Sequence, residues 1–99
     1  MIWLDIREAP GYEISNEGQV RNSHTGRVLK TYLDRPNGYE KVKINGKNKY
    51  IHKLVAERFY DCNNNNDYII KHIDGNKRKN YVSNLEIIPK SAEKMLKNG

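Results

Sequence analysis

Residues 39 to 44, YEKVKI, alternate apolar and polar side chains, with Val42 and Ile44 on one side and Lys41 and Lys43 on the other. That period of two marks a half-buried β-strand. Asn45 and Gly46 come next, a pair that tolerates the positive φ of a tight type I′ turn, so KNKYIH reads as the returning strand of a hairpin. Upstream, turn signals recur in PGY (10–12), NEG (16–18), HTG (24–26) and PNG (36–38). They punctuate short antiparallel strands, and YEIS, QVRN and RVLK are the strands predicted between them. From Ile51 the period changes. Ile51, Leu54, Val55 and Phe59 recur at helical spacing through IHKLVAERFY, with Lys53, Glu57 and Arg58 facing elsewhere, which predicts an amphipathic helix. DCNNNND, residues 61–67, ends it, because successive asparagines favour turns and bury nothing. The remainder predicts a strand YIIKHI, a polar loop DGNKRKNYVSN, a second strand LEII and a short helix from about Pro89 to Lys97. Pro89 suits the first turn of that helix, where its missing N–H has no intrahelical partner.

These elements describe an α+β protein, with a β-rich module over residues 1–50 and a hairpin–helix unit over 51–99. The asparagine run reads as a loop within a single compact domain, since neither half alone carries a convincing core. A chain of 99 residues buries only roughly 60–70% of its unfolded surface, so one small core is expected and a large enzyme cleft is not. Cys62 is the one cysteine, which rules out an intrachain disulfide and a CxxC zinc pair and fits a reducing, intracellular setting. The start lacks the apolar core of a signal peptide, and no run approaches the ~20 apolar residues that span a bilayer, so no membrane partner is expected.

Charge narrows the partners further. Eighteen Lys and Arg against twelve Asp and Glu give +6, a balance that draws polyanions and puts nucleic acid first. The basic residues gather in two places. Lys41, Lys43, Lys47 and Lys49 lie in the predicted hairpin, which is expected to set several on one face, and Lys71, Lys77, Arg78 and Lys79 surround His72. Contacts from these clusters to about four to six backbone phosphates would make log K fall with log[salt] at a slope of roughly −4 to −5. A solvated lysine edge that blocks sheet aggregation accounts for the hairpin lysines equally well. It accounts less well for the cations around His72.

WLDI, YEISNEGQVRN, TGRVLK and NGYEKVKI together resemble the NUMOD-type module that precedes nuclease domains in phage and intron homing endonucleases. IHKLVAERF followed by HIDGNKRKNYVSNLEII resembles the HNH part of the same family, a ββα-metal fold. The resemblance runs through almost the whole chain. It implies a DNA endonuclease that nicks or cuts phosphodiester bonds, encoded by a phage or virus and acting in the host cytoplasm.

The resemblance assigns His72 as the general base. Its placement at a strand end beside a polar loop agrees, and imidazole, with an ordinary pKa of ~6.5, is mostly neutral at pH 7. Asn84 matches the family's middle asparagine, whose amide ties the loop and orients the base. The family also holds one divalent ion, Mg2+ or Mn2+, through a residue just before the histidine and another on the final helix. Lys71 stands at the first position, and a charged ammonium has no lone pair to offer a metal. By spacing the second is Glu93, a good oxygen donor. Asp74 taking over as a ligand, Lys71 contacting the phosphate in place of part of the ion's charge, and loss of cleavage with DNA binding kept are the three alternatives. His52, at the start of the predicted helix, reads as structural. Long-site specificity is not expected of a monomer this short, which leaves a homodimer or a larger assembly open.

Overall fold

The computed structural model describes residues 1–62 and 67–91. Strands β1 (Trp3–Asp5), β2 (Tyr12–Ser15) and β3 (Val20–Asn22) form one antiparallel sheet in that order. A second sheet of the same kind follows from β4 (Thr31–Asp34), β5 (Tyr39–Ile44) and β6 (Lys47–Tyr50). Helix α1 (Ile51–Phe59) leads to the hairpin of β7 (Tyr68–His72) and β8 (Leu85–Pro89). The β5–β6 turn is the one expected, with Asn45 at φ 51° and Gly46 at φ 79°.

α1 carries the core. Its Ile51, Leu54 and Val55 are buried against Ile14 and Val20 of the first sheet, Val42 and Ile44 of the second, and Leu85 of β8. The side chains removed from water thus come from both ends of the chain.

Three expectations change. RVLK forms a single bridge, Val28 opposite Arg21, and not a strand. Only Leu29 of that segment packs against the core, while Val28 faces water. The strand lies further on, at TYLD, whose Tyr32 and Leu33 are both exposed and which is held by its pairing with β5. Pro89 closes β8 opposite Tyr68, and helical backbone starts at Lys90, whose N–H donates to the Asp67 carbonyl at 2.9 Å. A proline is tolerated at that last rung because the strand needs no further donor. The rest of the predicted helix, with Glu93, lies outside the described residues. Finally, the hairpin lysines do not share a face. Lys41 and Lys43 stand opposite Tyr50 and Asn48, whereas Lys49 and Lys47 stand opposite Val42 and Ile44, on the core side. A register that pairs even with odd positions across the turn divides them.

Candidate functional site

The chain turns immediately after β7, where the Gly75 N–H donates to the His72 carbonyl at 3.0 Å. Asp74 shapes that turn by accepting the Asn76 N–H on Oδ1 at 2.8 Å. Asn84, last residue of a short 3-10 turn over Val82–Asn84, reaches back to the same loop. Its Nδ2 donates to Asp74 Oδ1 at 2.9 Å and to the Lys79 carbonyl at 2.8 Å, and its Oδ1 accepts the Asp74 N–H at 3.2 Å. One amide therefore ties both ends of the loop. The ring of His72 is touched by a different residue: Asn80 Oδ1 lies 2.8 Å from Nε2, with His72 only 7% and Asn80 3% exposed.

Aromatic rings from the N-terminal half complete the surroundings. Tyr39 of β5 stacks on His52 of α1 with centroids 4.4 Å apart and lies 5.9 Å from the His72 ring. His52 is itself 5.7 Å from His72. Burial pushes its imidazole down to about 4, with the charge of a protonated His72 and Lys53 acting in the same direction, so His52 is neutral at pH 7. Lys77 extends over Tyr39, 4.8 Å from the ring centroid, and donates to the Asn37 carbonyl at 2.7 Å. Arg78 pairs with Glu40 at 3.1 Å, and Lys79 lies 3.9 Å from Asp74.

A cleft opens beside His72, walled by Tyr39, Ile70, Lys71, Gly75 and Lys77. Among the described residues two cations and no acid line it. Of the oxygen donors expected for a metal, Asp74 already accepts two hydrogen bonds on Oδ1, which with Lys79 hold its carboxyl below the usual range. Among the described residues no three His, Cys, Asp or Glu side chains gather as a metal site, and Asp74 alone does not make one.

Residues 1–45 match the NUMOD4 motif. The chain is 34% identical to the DNA endonuclease I-HmuI of Bacillus phage SP01, an alignment over 86% of this chain and 51% of that protein. It is 36% identical to a prophage-derived putative HNH homing endonuclease, YosQ, of Bacillus subtilis, over 89% of this chain and 52% of the relative. The solved structure of DNA binding and cleavage by I-HmuI superposes on the whole chain with a TM-score of 0.74 at 31% identity, covering 60% of that structure. Over most of its length this chain resembles HNH homing endonucleases.

The chain spans about half the length of these two curated relatives, and about a quarter of an uncharacterised HNH endonuclease from Acanthamoeba polyphaga mimivirus to which it is 40% identical. Its α+β architecture is that of the I-HmuI nuclease. HNH enzymes generally use a divalent metal. Among the described residues no helix is long and apolar enough to cross a membrane.

Within this HNH frame the structure brings His72, Asp74, Lys71 and Lys77 to one loop and cleft, with Asn84 beneath them, and leaves Lys41, Lys43 and Lys47 on the second sheet. Lys49 approaches Glu8 at 3.7 Å. Sequence reasoning missed Asn80 and Tyr39, and it did not set His52 beside His72. Neither Asn80, one of several asparagines in a polar loop, nor Tyr39, one of seven tyrosines, carries a spacing signal toward the histidine. Packing of α1 and β5 brings Tyr39 and His52 to the histidine, and the fold of the β7–β8 loop brings Asn80.

Proposed function

We propose that this chain hydrolyses phosphodiester bonds of DNA, with His72 as the general base that takes a proton from the attacking water. The observation that carries the reading is the placement of a nearly buried imidazole at the wall of an open cleft whose charged residues, among those described, are Lys71 and Lys77. A phosphodiester entering the cleft meets the ammonium groups of Lys71 and Lys77, and no carboxylate among the described wall residues opposes an anion there. Asn84 fixes the loop on which the site is built. Arg78 and Lys79, exposed on the same loop, with Lys41, Lys43, Lys47 and Lys49 on the second sheet, supply further backbone contacts. The divalent ion of the family, Mg2+ or Mn2+, supplies Lewis-acid stabilisation of the leaving oxygen when bound. Asp74 is the described oxygen donor nearest the base in sequence, and Glu93 is the second candidate.

A plasmid-nicking assay with Mg2+ or Mn2+ tests the reading. Wild type is expected to nick, and His72→Ala to lose about 10²- to 10⁴-fold in rate. Nicking that survives this substitution removes His72 as the base. DNA binding is expected to weaken with salt at a log–log slope of roughly −4 to −5. The engagement of Asp74 in the turn and the lysine at position 71 favour one second reading, an HNH fold that binds DNA without cutting. It predicts the same salt dependence with no nicking by wild type.

A further inference from the structure

An imidazole can act as a base only through the nitrogen that carries no proton, so the tautomer of His72 decides whether it can serve. The ring makes one hydrogen bond among the described residues, from Nε2 to Asn80 Oδ1 at 2.8 Å. An amide oxygen only accepts, so with Oδ1 facing the ring Nε2 is the protonated nitrogen and Nδ1 holds the lone pair. Turning the amide over would reverse both assignments, which makes the orientation of Asn80 and the tautomer of His72 a single choice.

The backbone of Asn80 is held as well, while its Nδ2 is buried with no partner among the described residues. Gly18, from the turn between β2 and β3, lies so close that a Cβ built on it would stand 2.8 Å from Asn80 Cβ and 2.9 Å from the Asn80 carbonyl oxygen. Two residues on, the Val82 N–H donates to the Asn16 carbonyl at 2.8 Å, fastening the same stretch to the first sheet. The other titratable groups around the ring are His52 from α1, Tyr39 from β5, Lys71 in β7 and Lys77 across the cleft, and none of them hydrogen-bonds to it. Nothing else described competes with Asn80 for the tautomer.

We propose that Asn80 is a positioning residue that holds His72 in the Nε2–H tautomer, so that Nδ1 is the atom that accepts the proton of water. The second half rests on the nuclease reading above; the first does not. The test is a long-range 1H–15N correlation of the histidine rings in the labelled 99-residue chain at about pH 8.5, where imidazoles are neutral. Wild type is expected to show a protonated Nε2 and an unprotonated Nδ1. Asn80→Asp, whose carboxylate can only accept, should keep that tautomer, and Asn80→Ala should mix the two, with the backbone amide spectrum reporting that each variant is folded. In the nicking assay Asn80→Ala should lower kcat about 10- to 100-fold with KM for DNA little changed, and Asn80→Asp should restore most of it. A protonated Nδ1 in wild type, a switch of tautomer in Asn80→Asp, or an unchanged ring in folded Asn80→Ala overturns the proposal. A wild type with the expected tautomer but no nicking overturns the nuclease reading and leaves the tautomer assignment standing.

Discussion

Asn84 and Asn80 occupy the same loop and divide its work. Asn84 satisfies the Asp74 carboxylate, the Asp74 N–H and the Lys79 carbonyl without reaching the imidazole, whereas Asn80 reaches the imidazole. Replacing Asn84 with Ala leaves the part-buried loop groups short of partners, at a cost of about 1–3 kcal/mol. Urea unfolding of Asn84→Ala should show that loss, and an unchanged midpoint would mean that the loop holds its shape without the tie. The positions of His72 and Asn84, at the end of one strand and just before the next, were legible because the strand pattern can be read, while the roles given to them came from the resemblance. Asn80 was not, because its importance comes from a contact eight residues away in sequence that no strand or helix period produces. The reading of His52 as structural agrees with its burial, but its closeness to His72 arises only when α1 packs against β7.

Between elements, the test case is a pair of glycines with the same backbone. Gly18 and Gly46 both sit at φ 79°, yet Gly46 faces open space and Gly18 abuts Asn80. Gly46→Ala should cost about 1–2 kcal/mol, the strain of a left-handed alanine. Gly18→Ala should cost that and a further ~1–3 kcal/mol of overpacking, measured as the difference between the two urea midpoints. Equal losses would show that the turn yields and that the first sheet does not brace the loop. The β5–β6 hairpin, α1 and the β7–β8 pair were legible because an alternating or helical stripe meets the core in each. β4 was not, since pairing with β5 creates it and its own Tyr32 and Leu33 both face water. RVLK looked like a strand for the converse reason, turn-bounded and apolar but with one side chain packed on the core.

Across the whole molecule, buried His52 and half-buried Glu57 act on stability in overlapping pH windows. His52 is pushed down to about 4, so between pH 4 and its ordinary 6.5 the unfolded chain takes up a proton that the folded chain refuses, and stability rises with pH. Glu57 is pushed up to about 7 by burial and by the neighbouring Glu8 carboxylate. Between its ordinary 4.5 and 7 the folded chain keeps a proton that the unfolded chain releases, so stability falls as pH rises. The two slopes oppose each other from pH 4.5 to 6.5. Urea unfolding at several pH values should therefore show Glu57→Gln gaining stability with pH over that window more steeply than wild type. A parallel course for the two would sink the account. The same architecture bears on how this chain and its relatives are recombined. Asn16, Gly18, Asn37 and Glu40 all lie within the NUMOD4 span, yet they meet Val82, Asn80, Lys77 and Arg78 of the HNH loop. A chimera that joins residues 1–45 of one relative to the remainder of another would cut no peptide of the loop around His72 and would still exchange one wall of its cleft, so successful shuffling requires that both sides of these four contacts be inherited together.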